Sequence, residues 1–139
     1  MNEHTYLLKP GRWEILGSTI DVAGNPNAML GYAVVVHDGD AWNVHEQLNE
    51  NPSRYDVKPP AAGMPATTYT GTHAILGNVQ GVYAFFEDMI LSSYRSDEGD
   101  YSAAEVFRRL DDDRYEVRGA LFLHGGHVSS WSLTMQRTS

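Results

Sequence analysis

The chain has 139 residues, 42% of them apolar and 20% charged, the size and balance of one folded domain with its own core rather than of a disordered tract. Its 10 basic residues against 18 acidic ones give a net charge of −8, which argues against nucleic acid or an anionic membrane as the partner. The absence of cysteine rules out disulfides and thiolate chemistry, and with no signature of an oxidising compartment the expected setting is the cytoplasm.

Residues 1–6 lack the basic and then apolar regions of a signal peptide, and residues 1–10 read as a lead-in, with one short helical turn ending at Pro10. Residues 12–22 form the first expected strand, followed by the turn cluster Ala23-Gly24-Asn25-Pro26-Asn27. Residues 29–37 are β-branched and apolar, and Asp38-Gly39 closes that strand with a hairpin signal. Residues 41–48 alternate Trp42, Val44, Glu46 and Leu48 against Asn43, His45 and Gln47. Residues 49–66 hold four of the six prolines (Pro52, Pro59, Pro60, Pro65), which speaks against a central strand there and for an irregular lid over the mouth. Strands resume at residues 67–76 and 82–95, the latter bent at Glu87-Asp88. Turns at residues 96–100, at Asp111-Asp112 and at Gly125-Gly126 then delimit strands over 101–110, 114–123 and 128–137. No long segment has a helical period, and no apolar run reaches the roughly 20 residues of a membrane helix. The fold class read from this pattern is all-β: a single domain over residues 1–139, an up-and-down antiparallel barrel of about eight strands that abolishes its own edges.

Gly11-Arg12-Trp13 on the first strand resembles the Gly-x-Trp signature of the calycin superfamily, which includes lipocalins, fatty-acid-binding proteins and avidins. Arg137 sits where those barrels often place an arginine across the first-strand tryptophan. The stretches 21–26, Gly31-Tyr32, Asp38-Gly39 and 69–72 are similar to bacterial lipocalin-like domains. The resemblance implies a barrel that binds a small molecule more often than it catalyses. It departs from the family pattern in its Pro-rich segment and in lacking a disulfide pair.

Symmetric placement of the last three turns sets Ala120 opposite Trp131, Glu105 opposite Arg118, and Ser92 opposite Glu105. One face then carries Trp131, Leu133, Met135, Phe107, Phe122, Tyr101, Tyr94, Ile90 and Phe86, threaded by Ser92, Glu105 and Arg118. The other carries Leu121, Leu123, Val117, Val106, Leu91 and Met89. If Arg137 reaches Trp13 at the barrel floor, the first face is the interior. The expected ligand site is then Tyr94, Glu105, Phe107, Arg118 and Trp131, with Glu105 and Arg118 as a paired polar anchor in an aromatic cavity. The plainer reading of the same pair is an ordinary surface salt bridge, worth about 0–1 kcal/mol. The apolar second face, if exterior, is the natural surface for a homodimer.

Two functional readings follow. The first is binding of a small, largely apolar ligand with a polar anchor. The alternative is a small barrel enzyme, an isomerase, cyclase or decarboxylase, using Glu105 or Glu46 as acid or base. The histidines suggest less. His124 and His127 flank a hairpin turn with no third ligand in sight, and His37, His45 and His73 could converge in the mouth but read more simply as hydrogen-bonding strand residues. Asp111-Asp112-Asp113 lacks calcium-loop spacing. No phosphate loop, zinc motif, nucleophile elbow or dinucleotide fingerprint occurs, so neither a cofactor nor a metal is expected.

Overall fold

The computed structural model describes residues 4–138; the first three residues of the expected lead-in lie outside the described part. Ten strands follow in chain order: β1 (Gly11–Asp21), β2 (Pro26–Asp38), β3 (Ala41–Leu48), β4 (Asn51–Val57), β5 (Ala66–His73), β6 (Gly77–Phe86), β7 (Met89–Ser96), β8 (Tyr101–Asp111), β9 (Arg114–Leu123) and β10 (Gly126–Arg137). Each pairs antiparallel with its sequence neighbours, and β1 pairs with β10 to close the barrel.

The barrel therefore has ten strands where the sequence pattern indicated about eight. The first addition, β4, comes from the Pro-rich segment. Proline only removes its own N–H, and Pro52 stands at the second residue of the strand; beyond it, buried Ser53, Tyr55 and Val57 alternate with exposed Arg54 and Asp56. The second arises because Glu87-Asp88 is a full two-residue hairpin, not a bend, with Phe86 opposite Met89. Glu87 takes φ 52 there without the glycine that would have announced the turn. The irregular part shrinks to residues 58–65. It lies at the end where the chain enters β1, beside Leu8 and Phe85, so it does not cover the opposite mouth.

The hairpins β8–β9 and β9–β10 each differ from symmetric placement by one residue. The last turn is His124-Gly125, with φ 50 and 80, and a bulge between His127 and Ser129 moves the register so that Trp131 faces Gly119 and Leu133 faces Val117. The preceding turn is Asp112-Asp113, and a bulge between Arg109 and Asp111 sets Phe107 opposite Val117 and Glu105 opposite Gly119. One slip turns every side chain of a strand to the other face. Of β8, β9 and β10, β9 is the one reversed relative to the sequence expectation: Tyr115, Val117 and Leu121 point inward, Arg118 and Phe122 outward. The two slips cancel on β10, so Trp131, Leu133 and Met135 lie inside with Glu105 and Phe107, as the pattern indicated. Phe86, expected inside, is 59% exposed.

The floor of the barrel is built by the segment ahead of β1. His4, Thr5, Tyr6 and Leu7 are all buried. Tyr6, Leu7 and Leu8 form a turn rather than the expected helical turn, with Leu7 at φ 70. The Tyr115 hydroxyl gathers this segment, accepting from the backbone N–H of Thr5 (3.2 Å) and Tyr6 (3.4 Å) and pairing with His4 Nδ1 at 2.8 Å. Tyr6 stacks on Phe107 at 5.3 Å between centroids and meets the edge of Trp13 at 5.7 Å. Trp13 is fully buried and opposes Arg137 in the β1–β10 register; the Arg137 guanidinium donates to the Pro10 carbonyl. His37 stacks on Trp42 at 3.7 Å and pairs through Nε2 with the Leu7 carbonyl, so it too serves the floor.

Candidate functional site

Above this floor the walls enclose a cavity of about 270 Å³, just under the roughly 300–1,000 Å³ of sites for drug-sized ligands. Tyr6 forms its base, and Leu48, Asn51, His73, Ala74 and Ile75 border its mouth at the β3–β4 and β5–β6 turns. Between them the wall is aromatic: Tyr55, Tyr69, Tyr83, Tyr94, Phe107 and Trp131.

Two carboxyl groups stand in this wall. Glu46 reaches the cavity by the alternation of β3, on the same face as buried Val44, and Glu105 does so on β8 between buried Ala103 and Phe107. In a ring of ten strands β3 and β8 are five apart in either direction, so the two carboxyls project from opposite walls into one chamber. Each is half-buried, and the exposed part faces the cavity. Burial lifts Glu46 to about 8, with a further contribution from the charge of Glu105. Burial likewise lifts Glu105 to about 7, against the lowering effect of a hydrogen bond from Trp131 Nε1 at 2.9 Å. Burial, followed by these carboxylates, keeps Tyr55 and Tyr94 protonated well beyond the ordinary range, so their phenols can act as donors.

Missing atoms position the rings. Glu105, Gly119 and Trp131 form one row across β8, β9 and β10. A Cβ on Gly119 would lie 2.5–2.6 Å from the Trp131 ring, so only glycine lets the indole lie across β9 and reach Glu105. The same arrangement recurs elsewhere. Tyr69 lies over Gly81, where a Cβ would come within 2.4 Å of its ring, and Tyr55 over Gly71, at 2.6 Å. Tyr69 is then placed to share a hydrogen bond with Ser92 Oγ at 2.9 Å and to stack on Tyr83 at 4.4 Å.

Of the site residues expected from sequence, Tyr94, Glu105, Phe107 and Trp131 line this cavity together. Arg118 does not. It stands on the outer face, with its guanidinium on the Val117 carbonyl and 3.5 Å from Glu116, so the Glu105–Arg118 pair does not form and Trp131 takes the arginine's place as the partner of Glu105. The sequence pattern gave Glu46 only a secondary place and missed Tyr6 and Tyr83. The signal for Glu46 was present in the strict alternation of residues 42–48, whereas Tyr6 sits in a segment with no period to read. The three strand histidines do not converge: His37 is at the floor, His45 is exposed, and His73 is at the mouth, where its Nδ1 accepts from the backbone N–H of Ile75 and Leu76. His127 pairs with Ser130 Oγ, and no cluster of three metal-ligating side chains occurs among the described residues.

No protein-family model matches the chain, and no curated protein matches it in sequence. Among solved structures the chain is similar to the S-type phycobiliprotein lyase CPES from Guillardia theta, with a TM-score of 0.65 at 12% identity over 93% of this chain and 88% of that one. The fold is a calycin-like barrel. That agrees with what the Gly-x-Trp motif implied, and at this identity the likeness concerns architecture alone.

Proposed function

We propose that the barrel binds a small, largely apolar molecule in its chamber, with Glu46 and Glu105 as the polar anchor. The enclosed cavity with aromatic walls and two inward carboxyls carries this reading. A ligand that buries most of its surface there gains roughly 25 cal/mol per Å² of apolar area removed from water, while the carboxyls fix its orientation. Tyr94, Phe107 and Trp131 supply the walls. The test is a thermal-shift and native mass-spectrometry screen of small aromatic and aliphatic compounds. Saturable one-to-one binding that is weakened at least tenfold in Glu105→Gln is expected. Retained affinity in that variant removes Glu105 from the anchor.

A second reading is favoured by the carboxyls themselves. Groups held at about 7 and about 8 on facing walls could exchange protons with a substrate near neutral pH. The likeness to a structure described as a lyase keeps chemistry in view. Turnover of a bound compound that disappears in Glu105→Gln while binding persists would distinguish this enzyme from a carrier.

A further inference from the structure

The chamber contains an imbalance of charge and hydrogen bonding. Two carboxyls face each other across it, and among the described residues no lysine or arginine lines it. Tyr83 and Tyr94, 5% and 9% exposed, also line it, and neither hydroxyl has a hydrogen-bond partner among the described residues. Both hydroxyls open onto the cavity, beside two carboxyls that have no counter-ion among its lining residues. Aromatic faces attract cations, and carboxylates accept from N–H donors.

We propose that the ligand of this chamber is a small organic cation, a protonated amine carried on an apolar body, whose ammonium sits between Glu46 and Glu105. The proposal rests on the reading of the cavity as a ligand site and adds the ligand's charge. An amine is preferred to a quaternary ammonium because its N–H groups can donate to both carboxylates. An anionic ligand would have to keep both carboxyls protonated and would meet no cationic side chain among the lining residues. The roughly 270 Å³ available admits one or two fused rings with a short side chain.

The chamber also predicts a proton count. The titratable groups facing the carboxyls are Tyr6, Tyr55, Tyr69, Tyr83 and Tyr94, with His73 at the mouth. Burial raises every one of these phenols above its ordinary value and lowers His73, so all six are neutral at pH 7 to 8.5 and the carboxyls alone respond there. Ammonium binding favours their ionised form. Protons are therefore released on binding at pH 7.5, and affinity rises between pH 6 and 8.5.

The experiment is isothermal titration calorimetry with two series of matched probes: phenethylamine, 2-phenylethanol and phenylacetate, then tryptamine, tryptophol and indole-3-acetate. Trimethyl(phenethyl)ammonium serves as the quaternary arm. In at least one series the amine should bind tenfold or more tighter than its alcohol, the carboxylate weakest, and the quaternary arm below the primary amine. Titration in two buffers of different ionisation enthalpy should show net proton release, a reading that needs no variant. In Glu46→Gln/Glu105→Gln the amine-to-alcohol ratio should fall to within twofold. If alcohols bind as tightly as amines in both series, or the double variant keeps the preference, the cation proposal fails while the cavity reading stands. A quaternary arm that binds as tightly as the primary amine overturns the N–H preference. No binding by any probe overturns both.

Discussion

The lower and upper halves of the lumen are built from the same residue types and do opposite things with them. At the floor, the hydroxyl of Tyr115 is filled by two backbone N–H groups and His4, and its ring packs edge-on to Trp13 at 5.5 Å. In the chamber, Tyr83 and Tyr94 present hydroxyls to open space, and two carboxyls share it. A tyrosine whose polar tip is saturated by its own chain is a structural plug; one whose tip is left to the cavity is a binding surface. What separates the two is the supply of backbone donors. Residues 4–7 bring spare N–H groups into the floor, whereas in the chamber the strands spend theirs on one another.

Substitutions at the two levels should therefore read out differently. Trp13→Ala empties the most enclosed part of the floor and should cost about 3–5 kcal/mol in urea denaturation. A loss below 1 kcal/mol would mean that the floor is not where stability resides. Tyr115→Phe keeps the ring but leaves the Thr5 and Tyr6 N–H groups without an acceptor, for a loss of about 1–3 kcal/mol. Amide exchange at those two positions should accelerate with it.

Glu46→Gln probes the chamber, where the sign reverses. A carboxyl raised from 4.5 to about 8 in the folded state holds its proton more tightly than in the unfolded chain. Its contribution to stability is thus fully present below pH 4.5 and is lost as pH climbs toward 8. The variant should match the parent near pH 5 and exceed it at pH 8.5 by roughly 1 kcal/mol or more. Equal curves at both pH values would show that Glu46 is solvated. The smallest effect belongs to Arg118→Ala. Its pair with Glu116 lies outside the barrel with the arginine side chain 56% exposed, so a change within about 1 kcal/mol and no change in ligand affinity are expected.

Arg118 also shows how far the sequence could be read. Alternation identified most of the strands and part of the aromatic lining, and with β7 and β8 in correct register it placed Ser92 beside Glu105. What it could not supply was the bulge in each of the last two hairpins. A bulge changes the count of residues without changing their polarity, so β9 read equally well with either face inward. Charge complementarity then made Arg118 the apparent partner of Glu105. The donor that does the work, the indole N–H of Trp131, becomes visible only once Gly119 is known to lie between them. The floor was illegible for a different reason. Tyr6 is held by Phe107 and Tyr115, roughly 100 positions away, and the Leu7 carbonyl by His37, and no local period records that.

The three glycines beneath Tyr55, Tyr69 and Trp131 carry a consequence for how such a container could diversify. At each, an added methyl would press on the ring and on a polar atom as well: the Arg54 carbonyl at Gly71, the Ser93 carbonyl and the Tyr69 hydroxyl at Gly81, and Trp131 Nε1 at Gly119. Alanine at Gly119 would push the indole off Glu105, and alanine at Gly71 or Gly81 would strain the neighbouring strand along with the ring. A lineage that changed the silhouette of the molecule it accepts would have to do so at other wall positions, with these three held as glycine.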